Sequence, residues 1–388
     1  MGNQLSGDAG SPSHGRARLY ILASVPARVR LVGVILAFNA ALALLLMAGA
    51  PEQPKLSDRA EYDFNSRTPL QAFCPNTIYC YRVLVPMLLE RVPADPEFRW
   101  RAHQWLAHTL TGTTVGIVTA GFASPFIASA LLQTSYAFTF TAYDPYTPDP
   151  FVFLIAAVLL YCWMHARALL VACVVAVAVF AKETVALLAS VPAIAVFLNR
   201  ERSKAAWFLP AVIAWSILLG FHWYMDTYFG WGISRNPAAN FATGSWLAIW
   251  WQNNPFLARK ALIVFSPFGF AWIFAALGYR HAPVLLRQLA LGAILPMLAL
   301  VYVQTPERAL GNAFFVIVPL AAIFLARASS AAAWAAVVTN GLLTARIGLS
   351  SDWLPGTAIL LGPALIASAW AIASARSAPV STRDRLAT

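Results

Sequence analysis

The sequence predicts an all-α, polytopic helical membrane protein. Of the 388 residues, 60% are hydrophobic and only 11% are charged, whereas a soluble domain carries roughly a quarter charged residues. Apolar runs recur along most of the chain and are continuous enough for membrane helices. Runs such as 151–160 and 169–180 do not alternate in polarity, which excludes the alternating segments of about 10 residues that build a transmembrane β-barrel.

The N-terminal 30 residues mix Gly, Ser, Pro, Asp and Arg without periodicity and read as a disordered cytoplasmic tail. The apolar spans expected after it are 31–49, 102–121, 124–143, 151–165, 168–181, 185–198, 207–225, 261–279, 288–303, 311–326, 331–349 and 357–375, about 12 in a single transmembrane domain over 31–375. The first run follows Arg28 and Arg30 and ends in Ala48-Gly49-Ala50, a pattern shared with signal peptides. At about 20 residues it is long enough to cross, and it is read as an uncleaved helix. The spans between 151 and 198 are short for a core of about 30 Å, so either they meet at buried polar corners or the bilayer thins there. Residues 376–388 form a second cytoplasmic tail.

Charge gives the orientation. With both termini inside, fourteen basic residues face the cytoplasm and six face outward once the long loop 51–101 is set aside, as the positive-inside rule requires. The net charge of +11 is therefore scattered over short loops and does not describe a nucleic-acid surface. Two outer loops result, 51–101 and 226–260. The first contains an apolar, aromatic and basic stretch at 78–92, read as a surface helix interrupted at Pro86. The second carries Trp246, Trp250 and Trp251, which suit an interface. Cys74 and Cys80 share the first loop and could pair on an oxidising side. Cys162 and Cys173 lie in apolar runs, where cysteine acts as a small hydrophobe.

In this topology thirteen of the sixteen acids lie outside. Seven of them belong simply to the long loop. Glu61-Tyr62-Asp63 could share a cation, or supply a general base and a neighbour that tunes it; the other reading is a solvated loop. Asp144 and Asp149 project from a proline-stiffened turn, 143–150, and are the candidate metal ligands, since Mg²⁺ or Mn²⁺ prefers carboxylate oxygen. Asp149 before Pro150 also fits a helix N-cap, which leaves Asp144 as the functional acid of the two. Lys182-Glu183 marks an outward hairpin tip, where Lys182 either holds a phosphate or neutralises Glu183. Arg82 opens the surface helix, and arginine recognises phosphate through its guanidinium fork; Arg308, which borders a loop on the same side as the carboxylates, either holds an anionic headgroup or snorkels to lipid. His103, His108 and His222 are read as packing or interfacial residues.

The layout resembles the GT-C class of integral-membrane glycosyltransferases. The resemblance is carried by a first span, a long outer loop with the acidic motif Glu61-Tyr62-Asp63, the stretch around Arg82, and the acids Asp144 and Asp149 in the next outer loop. The stretches YRVLVPMLLE, YDPYTPDP, FAKET and PERALGNAFFVIVPLAA are also similar to bacterial membrane proteins grouped near that class. The resemblance covers most of 31–326, and the chain has no large C-terminal soluble domain. It implies a polyprenyl-phosphate-linked sugar donor, and a glycan, lipid or protein acceptor at the outer face of a bacterial inner membrane. Asp63 would be the general base and Glu61 its neighbour. Arg82, Lys182, Glu183 and Arg308 would line the substrate site, and Asp144, with Glu61, would hold any divalent cation. The competing expectations are a transporter or flippase of a polar or anionic substrate, and a non-enzymatic subunit of glycan assembly. A transporter should place its ionisable residues near the midplane at broken helices.

Overall fold

The computed structural model describes residues 25–50, 62, 80–230, 257–300, 306–350 and 356–377. Among them every regular element is helical, as befits a chain that must satisfy its backbone without water. In chain order the α-helices are α1 (Val25–Ala48), α2 (Leu84–Glu90), α3 (Pro96–Thr119), α4 (Pro125–Gln133), α5 (Tyr136–Tyr143), α6 (Asp149–Met164), α7 (Ala168–Ala178), α8 (Thr184–Leu198), α9 (Phe208–Phe229), α10 (Leu257–Phe265), α11 (Ala271–Gly278), α12 (Val284–Leu300), α13 (Pro306–Leu310), α14 (Phe314–Leu325), α15 (Ser330–Ser350) and α16 (Gly356–Ser377). Four helical stretches are long and apolar enough to cross a membrane: Pro26–Ala48, Ser203–Phe229, Glu307–Leu325 and Thr357–Ser377. The chain is an α-helical protein of membrane type.

Helices α3 and α15 are equally long but more polar, and their polar side chains turn inward. Gln104, His108, Thr109, Thr111 and Thr113 of α3 are buried, as are Asn340 and Thr344 of α15. Helix α1 packs on α3, and Asn39 joins them to α4. Its amide donates to Ser129 Oγ at 2.9 Å, and its carbonyl oxygen accepts from Gln133 Nε2 at 3.1 Å. Such interhelical bonds hold helices together where lipid offers no hydrophobic drive.

Two expected spans are broken. The run 124–143 divides at Thr134-Ser135, and the run 261–279 divides between Phe265 and Ala271. The apolar periodicity continues across both breaks, so hydropathy alone does not reveal them. Gly269 takes a positive φ of 54°, which glycine adopts without steric cost, and Ser135 precedes the second helix of its pair. The breaks touch each other: Tyr136 N donates to Pro267 O at 3.2 Å. Helix α15 satisfies the remaining groups. Asn340 accepts from Phe270 N at 2.7 Å and donates to Phe268 O at 3.2 Å, and Thr344 Oγ1 donates to Thr134 O at 2.7 Å.

The middle helices are short. The 11 residues of α7 rise about 16 Å at 1.5 Å each, roughly half of a hydrocarbon core. Helices of this group meet at one polar corner, where Asp149 at the start of α6 pairs with Lys182 in the turn between α7 and α8. Pro86 does not interrupt its helix. It sits in the first turn of α2, where no intrahelical N–H is required. Of the expected tails at 1–30 and 376–388, residues 25–30 and 376–377 are instead helical, in α1 and α16; the rest of both tails and the tryptophans at 246, 250 and 251 lie outside the described residues.

Asn340→Ala should lower the unfolding free energy in detergent by on the order of 2–4 kcal/mol, because it strands a buried N–H and a buried C=O. Gly269→Ala should destabilise as well, since a Cβ there would meet Asn340 Oδ1 at 2.3 Å. Thermal unfolding of the purified variants measures both.

Candidate functional site

Four separate segments deliver charge to one place. The entry to α2 carries Arg82, the turn between α5 and α6 carries Asp144, Thr147 and Asp149, the turn between α7 and α8 carries Lys182 and Glu183, and α13 carries Arg308. Local hydrogen bonds set these segments. Leu84 N donates to Phe180 O at 3.1 Å, which fastens the α2 entry to the α7–α8 turn. Thr147 N donates to Pro145 O at 2.9 Å, tightening the proline-rich turn.

Asp149 is the centre. Its Oδ1 accepts from Lys182 Nζ and its Oδ2 from Arg308 Nε. Arg308 also donates to Thr147 Oγ1, and its guanidinium lies 5.3 Å from the centre of the Phe140 ring. The Asp149 side chain is 3% exposed. A carboxylate this enclosed is tolerable because two cations meet it. The buried Asp144 contributes to the field at Arg308.

The second pair is Arg82 with Glu183, a two-point fork with Nε–Oε2 at 3.1 Å and Nη2–Oε1 at 2.5 Å. Arg82 Nη1 donates to the Tyr62 hydroxyl at 3.3 Å. Tyr62 is fully buried, with its ring 5.6 Å from that of Trp100, which in turn lies 5.7 Å from Tyr146. Beyond Arg82, the Tyr81 hydroxyl donates to Asp226 Oδ1 at 2.6 Å, and its ring stacks on His222 at 3.8 Å.

The electrostatics follow from burial and pairing. Burial alone would raise the Glu183 carboxyl; Arg82 outweighs it and holds the group at about 2, below its ordinary 4.5. Burial pushes the Lys182 ammonium down, against the pull of Asp149. The Tyr62 phenol is pushed up by burial, although Arg82 opposes this. Three cations (Arg82, Lys182 and Arg308) thus balance three carboxylates (Asp144, Asp149 and Glu183).

Several sequence expectations change here. Lys182 and Glu183 do not neutralise each other; each is paired with a residue from another segment. Asp149 is not an N-cap. Pro148 holds that position, with no side-chain capping bond, and Asp149 is the first residue of α6. Arg308 bonds to the carboxylate of Asp149 instead of snorkelling, and Arg82 bonds to that of Glu183. The residues fit a divalent cation poorly. Each oxygen of Asp149 already accepts from a side-chain cation, and among the described residues no group of three or more His, Cys, Asp or Glu could hold a metal. No chemical step is therefore routed through a metal. Glu61 and Asp63 lie outside the described residues, as does Cys74. Cys80 is disulfide-bonded, whereas Cys162 and Cys173 are free.

Tyr62, Thr147 and Trp100 were not singled out from sequence as contacts. Only Tyr62 carried a signal, its place between two acids. No protein-family model matches the chain, and no curated protein or solved structure matches it.

Asp149→Asn should destabilise the protein by about 3–5 kcal/mol, as removing one partner of a buried ion network does, measured by unfolding in detergent. The low value for Glu183 gives a pH dependence with a definite sign. Its contribution to stability is complete above about pH 4.5 and is lost as pH falls toward 2. The melting temperature of Glu183→Gln should therefore fall less steeply than wild type across that window.

Proposed function

We propose that the protein is a membrane glycosyltransferase of GT-C type, with about 12 spans and both termini in the cytoplasm of a bacterial inner membrane. It would move a sugar from a polyprenyl-phosphate donor to an acceptor hydroxyl on the outer face. One observation supports this most. Tyr62, flanked in sequence by Glu61 and Asp63, bonds to Arg82 within the same network that gathers Lys182, Asp149 and Arg308. Tyr62, the residue between the two acids, and three cations thereby share one locus.

In this reading Asp63 takes the proton of the acceptor hydroxyl as general base. The acceptor oxygen bonds to the anomeric carbon as the bond from that carbon to the phosphate oxygen breaks. The phosphate leaves with the bonding electron pair, and configuration inverts. Arg82, Lys182 and Arg308 stabilise the charge that grows on the leaving phosphate, in a setting with little water. Their carboxylate partners keep the cations oriented before the donor arrives.

The transporter reading draws on the two broken helices. However, Asn340 and Thr344 satisfy the freed backbone groups at these breaks. The clustered charges sit at helix ends, in turns and on the short α13, which favours chemistry on a lipid-borne substrate.

Purified protein should transfer sugar from a polyprenyl-phosphate hexose to a hydroxyl acceptor. Asp63→Asn should abolish turnover with the melting temperature unchanged; full activity in this variant would remove the assigned base. Arg308→Lys keeps the charge but loses the planar fork. It should slow turnover at least tenfold, about 1.4 kcal/mol of transition-state stabilisation, as read from kcat/KM.

A further inference from the structure

Helix α3 carries polar groups that the reaction above does not use. Gln104 is 0% exposed, yet neither its amide nitrogen nor its amide oxygen has a hydrogen-bond partner. Both ring nitrogens of His103 are enclosed without partners, and so is the Thr109 hydroxyl. Trp100, Gln104 and His108 recur every four residues and so share a helix face. At one end of that face Trp100 belongs to the Tyr62–Tyr146 aromatic group, and its ring meets His103 edge-on at 6.0 Å. At the other end His108 Nε2 lies 2.9 Å from Thr141 Oγ1. The stripe therefore begins beside the charge cluster and runs into the bundle.

Native proteins leave few buried polar groups unpaired, and the exceptions commonly mark an ordered water or a ligand. The chemistry of the missing partner is constrained. A neutral imidazole offers one donor and one acceptor, and an amide offers two donors and a carbonyl acceptor. Only a guest that donates and accepts at once serves them all. A carboxylate or phosphate only accepts, and an ammonium only donates. We infer that α3 holds an internal site for hydroxyl groups at the adjacent His103 and Gln104, filled by ordered water or by hydroxyls of the sugar substrate. The sugar alternative rests on the glycosyltransferase reading; the water alternative does not.

Radiolytic hydroxyl-radical footprinting of the full-length protein in detergent tests this, because side chains beside bound water are oxidised even when buried. Wild type should show labelling at Trp100, His103 and His108, and Gln104→Leu should lose it at His103. If adding a polyprenyl-phosphate hexose protects His103, and Gln104→Leu raises the KM for this donor with little change in kcat, the guest is the sugar. If the donor leaves labelling unchanged, the guest is water. Unlabelled His103 in wild type, together with a higher melting temperature for Gln104→Leu, would show a dry seam and overturn the site. The wild-type pattern decides even where the variant does not fold. Labelled His103 without any sugar transfer would overturn the glycosyltransferase reading and leave the hydrated site standing.

Discussion

The sharing of Asp149 between Lys182 and Arg308 is the constraint on which this end of the helix bundle depends. An enclosed carboxylate without partners would be protonated or expelled. With two cations it becomes a junction between three parts of the chain: the start of α6, the turn before α8, and α13. The short helices α6–α8 are tied by this junction, since a buried lone charge at their ends would carry a desolvation cost. The Arg82–Glu183 fork extends the junction to a fourth segment and brings Tyr62 with it. Ion pairs of this kind are better at specifying an arrangement than at stabilising it. That suits a locus whose cations are also proposed to receive a phosphate.

Much of the architecture was legible in the sequence. The low charge content gave the helical membrane class, and apolar runs located helices such as α1, α8, α15 and α16 within a few residues. The breaks in two spans were not legible. Their residues, Thr134-Ser135 and 266–270, lie in apolar surroundings, and the groups that permit the breaks come from α15, far along the chain. The first turn of α2 was misread for a simpler reason: Pro86 interrupts a helix only if helix precedes it, and α2 begins two residues earlier.

At the site, sequence reasoning placed Arg82, Asp144, Asp149, Lys182, Glu183 and Arg308 on one face, but it read Asp149 as a cap and Asp144 as the functional acid, whereas Asp149 is the residue that two cations share. Adjacent Lys182 and Glu183 invite a local pair, whereas the fold sends one to Asp149 and the other to Arg82. Partner choice among charges is a long-range property that spacing does not encode. The inward polar stripe of α3 was equally hidden, because His103 and His108 read as ordinary residues near a span end until their burial is known.

The service that α15 renders to the broken helices has a consequence for biogenesis. Thr344 lies 210 residues after Thr134, whose carbonyl it serves. During synthesis the first interruption is therefore made long before its partner exists. The nascent chain must shelter an incomplete backbone in the translocation machinery, in water or against a temporary neighbour until α15 arrives. A product truncated before residue 340 would retain Pro26–Ala48, Ser203–Phe229 and Glu307–Leu325, but not the groups of α15 that complete the broken helices. Such a fragment should be recognised as defective by membrane proteases, even though its charge cluster is intact in sequence.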